Sequence, residues 1–258
     1  MNIIGIIPAR LASSRFPNKP MTDILGIPMI GHVYFRSCFS RKLSDVYIAT
    51  CDDMIKKYIE GVGGKVVMTS DKHNRASERT AEAVKKIEDL SGQSADFVVM
   101  IQGDLPLISP EDIDNLVLAA EENRNLVVFD TISPVEDQVA FESPNNVKVV
   151  MDMNDFALYY SREPIPSRKK FSGGVPMWRQ PGLIMFETKT LLEYVQLEPT
   201  PLEIIESVDM NRFLEHGIRV KFVRSTNQFD SIDVADDKER VISKMHSDTY
   251  FANYRGRK

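Results

Sequence analysis

The chain has 258 residues, 43% of them hydrophobic and 27% charged, with 32 Lys and Arg against 37 Asp and Glu for a net charge of −5. That balance excludes bulk electrostatic capture of nucleic acid, which needs a concentrated positive surface, while the length allows a sizeable buried core. Cys38 and Cys51 are the only cysteines and stand outside any Cys-x-x-Cys or Cys/His cluster, which excludes a disulfide framework and a structural zinc site.

No apolar run approaches the roughly 18 residues of a membrane-spanning helix, and no membrane partner is expected. The apolar start, residues 1–8, is too short for a signal segment and Arg10 follows at once, so a soluble, reduced, cytoplasmic protein is expected.

In chain order, residues 2–8 (NIIGIIP) read as a fully buried strand and 29–39 as a helix. Residues 44–50 are strand-like, 52–60 a short helix and 65–68 another strand. Residues 77–90 form an amphipathic helix with Ala81, Val84 and Ile87 on one side, and 97–101 (FVVMI) a central strand. Ser109 suits the N-cap and Pro110 the first position of a helix running to about Glu122. This alternation predicts an α/β fold: a Rossmann-like, mostly parallel sheet flanked by helices on both faces.

The second half is less regular. Residues 126–132, 147–152, 183–186 and 220–223 read as strands, 202–216 as a helix and 234–244 as a closing helix. Between them, 163–180 reads as a long loop with Pro, Gly and Arg168-Lys169-Lys170, of a length that usually marks function or mobility. The expectation is one domain over 1–258 with a smaller antiparallel lobe inserted at about 130–200.

Four constellations could carry chemistry. The first, residues 8–20 (PARLASSRFPNKP), directly follows the first strand, where open α/β sheets bind ligands. Its three cations, two hydroxyls and backbone N–H groups suit a triphosphate, although neither the P-loop nor the dinucleotide fingerprint is present. A solvated basic loop is the plainer alternative. The second is Gln102-Gly103-Asp104 after the central strand. Asp104 could cap a turn, or could hold a magnesium–triphosphate complex, since Mg²⁺ takes one or two carboxylates plus phosphate oxygens.

The third is residues 229–237 (FDSIDVADD), where Asp233 could be a helix N-cap, a second metal ligand, or both. The fourth, residues 72–79 (KHNRASER), joins a loop to a helix N-terminus, which favours anions. His73 reads as a surface or hydrogen-bonded residue, and no Ser/His/Asp order recommends a hydrolase. Two motifs are set aside: residues 61–65 (GVGGK) follow a helix and read as its C-terminal turn, and Asp112-Ile113-Asp114 lies in the first turns of a helix.

Together, IIPARLASSRFPNKP, GIPMIGHV, HNRASERTAEAV, VVMIQGDLPLI, YYSREPIP, PLEIIE and the Asp233 segment resemble, in order and over nearly the whole chain, the CMP-Kdo synthetases (3-deoxy-manno-octulosonate cytidylyltransferases). The resemblance implies that CTP and an acidic sugar give a CMP-sugar and pyrophosphate with magnesium, for cell-surface polysaccharide synthesis. It also implies a homodimer. Arg10 and Lys19 match positions that hold the triphosphate, with Ser14 and Arg15 in the same nucleotide loop. Asp104 and Asp233 match the metal-binding aspartates. Pro8, Ala9, Arg75, Ser77 and Gln102 fall where the family lines the cytidine pocket. Arg162 matches an arginine that meets the sugar carboxylate, and Gln180 and Asp209 lie in the acceptor-side stretches.

Three departures stand out. The family's H-x-S-G-T-E-R reads HNRASER, with Arg75 for a small Ser and Ala76 for Gly. Its H-L-G-I-Y-x-Y reads QPGLIMF over 180–186, and its E-x-L-E-Q-L-R reads ESVDMNR over 206–212, placing Met210 where a Gln is usual. Losing polar partners for a polyhydroxylated substrate costs about 1–3 kcal/mol per unpaired buried group. These changes leave the expected acceptor as Kdo or a Kdo-like 2-keto-3-deoxy acid, such as an amino- or deoxy-variant, with another small acid such as a phosphonate as the alternative. A nucleotide-binding protein without catalysis is the alternative of a different class, and a glycosyltransferase lacks a credible D-x-D.

Overall fold

A computed structural model describes residues 1–12, 16–135, 137–232 and 237–257. The chain divides into a first unit, Met1–Asp114 with Phe229–Lys258, and a second unit, Asn115–Gln228.

The first unit begins with β1 (Ile3–Ala9), buried along its whole length. After a short 3₁₀ turn at Lys19–Met21 come a small hairpin, β2 (Asp23–Ile24) and β3 (Ile27–Pro28), and α1 (Met29–Ser37). Then follow β4 (Asp45–Thr50), α2 (Asp53–Gly61), β5 (Lys65–Met68), α3 (Ala76–Ser91), β6 (Phe97–Ile101) and α4 (Pro110–Glu122), through which the chain passes into the second unit. The strands lie in the order β5-β4-β1-β6, every neighbour parallel. Buried Ile and Val runs dictate this, because a parallel strand covered on both faces has no polar side to alternate.

Of the predicted face of α3, Val84 and Ile87 pack, joined by Ala83 rather than Ala81, against Ile4, Ile6, Ala49, Val67 and Val98. Gly63 has φ 79°, beyond the end of α2, in line with a C-terminal turn rather than a phosphate loop. Asp114 accepts hydrogen bonds from Ser40 Oγ and the Arg41 N–H, a structural use of the set-aside acidic pair.

The second unit holds β7 (Val128–Pro134), α5 (Gln138–Glu142), β8 (Val147–Met151), β9 (Ala157–Ser161), β10 (Trp178–Gln180), β11 (Leu183–Glu187), α6 (Thr188–Tyr194), α7 (Pro201–Glu206), α8 (Met210–Glu215) and β12 (Lys221–Arg224). Antiparallel pairing dominates: β11 and β10 on β7, β10 on β8, and β8 on β9. Only β12 runs parallel to β7. The single helix expected over 202–216 is two helices, because Ser207 adopts the left-handed conformation at φ 52° and turns the chain. The chain then re-enters the first unit with α9 (Asp237–His246) and α10 (Phe251–Tyr254). Val241 and Met245 of α9 pack with Ile24, Met29 and Ile232. No helix among the described residues is long and apolar enough to cross a membrane.

A buried acid sits in the second unit. Asp130 on β7 is fully buried, its Oδ2 accepting from Tyr160 Oη at 2.9 Å and Gln180 Nε2 at 2.7 Å, while Oδ1 has no partner. Burial pushes its carboxyl from 3.8 up to about 8, against the hydrogen bonds of Tyr160, Gln180 and the Thr131 N–H. Between the unfolded value near 4 and about 8, folding therefore takes up a proton. Stability from this group is full below about pH 4 and falls as pH rises toward 8. We expect Asp130→Asn to remove that fall. The wild-type minus variant difference in urea-unfolding free energy should decline by up to about 1.4 kcal/mol per pH unit over this window. A pH-independent difference would show that Asp130 folds in its ionised form.

Candidate active site

The cleft is built where β1 and β6 end. Past Ala9 the chain leaves the sheet, and Leu11 donates its N–H to Asp52 Oδ2 at 2.8 Å, which pins the start of the loop to the end of β4. The loop returns through Asn18, at φ 57°, whose N–H reaches the Leu11 carbonyl at 3.3 Å. The 3₁₀ turn carrying Pro20 then presents Lys19 inward. Lys19 Nζ meets Asp104 Oδ2 at 2.8 Å, with side chains 13% and 31% exposed, so the cation and the carboxylate face each other at the cleft rather than in the core.

Asp104 follows β6 by way of Gly103. A Cβ at Gly103 would lie 3.2 Å from the Pro8 carbonyl and 3.2 Å from Ile30 Cδ1, so close approach of the two strand ends favours glycine here. The Asp104 carbonyl accepts from the Ile232 N–H at 3.2 Å. Asp230 is tied to α9 by Lys244 at 2.8 Å and Arg240 at 3.1 Å.

The opposite wall is the loop before α3. Arg10 Nη1 donates to the His73 carbonyl at 3.1 Å, and His73 Nε2 is hydrogen-bonded to the Glu82 carboxylate. Burial disfavours ionised Glu82, but Lys86, the Ser70 N–H and His73 outweigh it and hold the carboxyl down at about 2. His73 is thus an anchored loop residue. Glu78 Oε2 accepts from the N–H groups of Asn74 and Arg75, which closes the first turn of α3.

These elements enclose a cavity of about 340 Å³ lined by Pro8, Ala9, Arg10, Lys19, Arg75, Gln102 and Asp104, among others. Of the site residues expected from sequence, those seven come together. Ser77 is buried in the first turn of α3. Ser14, Arg15 and Asp233 lie outside the described residues. Arg79, His73, Asn74 and Gly103 also line the cavity. Arg79 closes the segment 72–79 singled out from the sequence, where no role was assigned to it.

The three acceptor-side residues lie in the second unit. The Arg162 guanidinium donates to the carbonyls of Glu206 at 2.7 Å, Pro144 at 2.8 Å and Ser207 at 3.2 Å. Gln180 holds Asp130, and the Asp209 carbonyl accepts from Tyr194 Oη at 3.2 Å.

A cation-walled cleft at the carboxyl ends of parallel strands, with one carboxylate opposite a lysine, is the architecture of an α/β nucleotidyltransferase fold. A family model described as Cytidylyltransferase matches residues 4–226. A 3-deoxy-manno-octulosonate cytidylyltransferase of Geobacter sulfurreducens is 38% identical, covering 95% of this chain and 100% of that one. A mitochondrial counterpart of Arabidopsis thaliana is 37% identical over 94% and 83%. A solved CMP:2-keto-3-deoxy-manno-octonic acid synthetase complexed with CTP superposes with a TM-score of 0.87 at 30% identity, covering 95% and 99% of the two chains. The chain belongs to the cytidylyltransferase family, within the branch of the 3-deoxy-manno-octulosonate cytidylyltransferases.

Proposed function

We propose that this enzyme joins CMP from CTP to 3-deoxy-manno-octulosonate (Kdo) and releases pyrophosphate. The observation that carries the reading is the Lys19–Asp104 pair in the cleft beside Arg10. The anomeric hydroxyl of the sugar attacks the α-phosphorus in line. The bond from that phosphorus to the bridging oxygen breaks, its electron pair leaves with pyrophosphate, and the hydroxyl proton passes to solvent. Arg10 and Lys19 offset the charge that grows on the leaving group, through a guanidinium fork and a point-charge ammonium.

No cluster of three or more His, Cys, Asp or Glu that could hold a metal exists among the described residues. Mg²⁺ does not require one: a hard carboxylate at a cleft, completed by phosphate oxygens, is its ordinary site, and Asp104 fits that role. Asp104, with Asp233, would hold the ion, which when bound neutralises phosphate charge. Arg162, Gln180 and Asp209 serve the acceptor.

The altered acceptor to which Arg75, Gln180 and Met210 point is disfavoured by full-length similarity to relatives that bear the Kdo name, as are a phosphonate acceptor and a non-catalytic role. The test is pyrophosphate release from CTP and Mg²⁺ with Kdo, its amino- and deoxy-variants and phosphonates. Release with Kdo is expected. Release only with another acid would move the acceptor, and CTP binding without release from any acid would refute catalysis.

A further inference from the structure

Glu78, Glu82 and Lys86 of α3 are four residues apart, so they share one helical face, and the chain running from β5 to α3 is laid along it. Lys86 Nζ donates to the Met68 carbonyl at 2.8 Å. Glu82 Oε2 accepts from the Ser70 N–H at 2.9 Å and from His73 Nε2, while Glu82 Oε1 meets Lys86 Nζ at 2.7 Å. Glu78 Oε2 accepts from the N–H groups of Asn74 and Arg75 at 3.1 and 3.2 Å. The segment is thus clipped to the helix at 68, 70, 73, 74 and 75. Glu82 makes the central clips, and its carboxyl stays ionised, so both oxygens accept.

The backbone of the clipped residue His73 is where Arg10 is held, Nη1 donating to the His73 carbonyl at 3.1 Å. Arg10 is exposed, and among the described residues this is the only hydrogen bond of its guanidinium. An exposed arginine with a single anchor spreads over many rotamers once the anchor moves, and ordering it again on a ligand costs affinity and alignment. The other N–H groups of its fork remain for an anion. Glu82 itself does not line the cavity, so whatever it contributes there passes through His73 and Arg10.

We propose that Glu82 is a positioning residue: by gripping the His73 ring and the Ser70 N–H, it fixes the carbonyl that aims Arg10 at the triphosphate. This deepens the proposed function and rests on it. It extends the leaving-group site to a carboxylate outside the cavity, one that touches neither nucleotide nor acceptor.

The experiment is a double-mutant cycle on the whole enzyme, with Glu82→Leu, Arg10→Met and the double variant. Pyrophosphate release gives kcat/KM for CTP and KM for Kdo, titration calorimetry gives Kd for CTP, and thermal melting checks folding. Glu82→Leu should lower kcat/KM for CTP by roughly 10-fold with KM for Kdo unchanged. In Arg10→Met the same substitution should cost less than about twofold, because the group it acts through is already gone. The proposal is overturned if a folded Glu82→Leu keeps the wild-type value, or if its loss is as large in Arg10→Met as in the wild type. Should Glu82→Leu not fold, His73→Ala, which removes the ring and keeps the carbonyl, runs the same cycle with the same two outcomes. If the wild type releases no pyrophosphate with Kdo or any other acid, the reaction reading fails. The CTP Kd cycle then judges Glu82 by itself: a loss that vanishes in Arg10→Met upholds the positioning role, and a loss that persists there contradicts it.

Discussion

Asp104→Asn should abolish measurable turnover while leaving the protein folded. Asn has the same shape, and the backbone carbonyl that receives the Ile232 N–H is untouched. The lost Lys19 ion pair is partly exposed, and pairs of that kind are worth at most about 1 kcal/mol, so the melting temperature should move little. Activity is another matter. Without the carboxylate, the cleft keeps its cations but lacks its hard anionic oxygen, the donor on which a divalent ion depends. Several kcal/mol of lost transition-state stabilisation corresponds to roughly a 10³-fold fall in kcat. Parallel assays of pyrophosphate release and thermal melting check both halves. Near-normal turnover in a folded variant would remove Asp104 from the mechanism.

The largest loss of stability is expected at Glu203→Gln. Glu203 on α7 and Arg212 on α8 form a forked pair, Nε to Oε2 at 2.5 Å and Nη2 to Oε1 at 2.6 Å, with side chains 1% and 4% exposed. Arg212 also donates to the Leu197 carbonyl at 3.0 Å and lies 4.5 Å over the Tyr194 ring, which stacks on Phe213. Neutralising Glu203 strands a buried guanidinium, at a cost of about 3–5 kcal/mol. Replacing both residues by Met should recover much of it, because the desolvation of two charges then disappears together. Urea unfolding of the single and double variants reads this directly. A single variant within about 1 kcal/mol of wild type would mean that the pair contributes no more than a surface one.

The first unit was legible because its central strands β1 and β6 are unbroken buried runs and its helices carry one apolar face, signals contained within ten or fifteen residues of sequence. The second unit was not. β10 is three residues, Trp178-Arg179-Gln180, inside a Pro- and Gly-containing stretch, and it is a strand only because β7 and β8 pair with it from opposite sides. The break between α7 and α8 falls on Ser207, a residue that gives no glycine or proline warning of a left-handed turn.

The same division runs through the site. Arg10, Lys19 and Asp104 follow strands that could be read, and position alone marked them. Arg79 was passed over because its partners, Thr69 and Ser70, lie about ten residues away across a turn. Arg162 marks the opposite limit: the carbonyls of Pro144, Glu206 and Ser207 that hold its guanidinium are far along the chain, so its setting could not be read from its neighbours in sequence.

The most direct measurement is a crystal structure of the protein with CTP and Mg²⁺. The account predicts triphosphate density against Arg10 and Lys19, with the ion on the Asp104 carboxylate. Nucleotide bound away from that cleft, or phosphates that leave Lys19 and Asp104 paired only with each other, would contradict it.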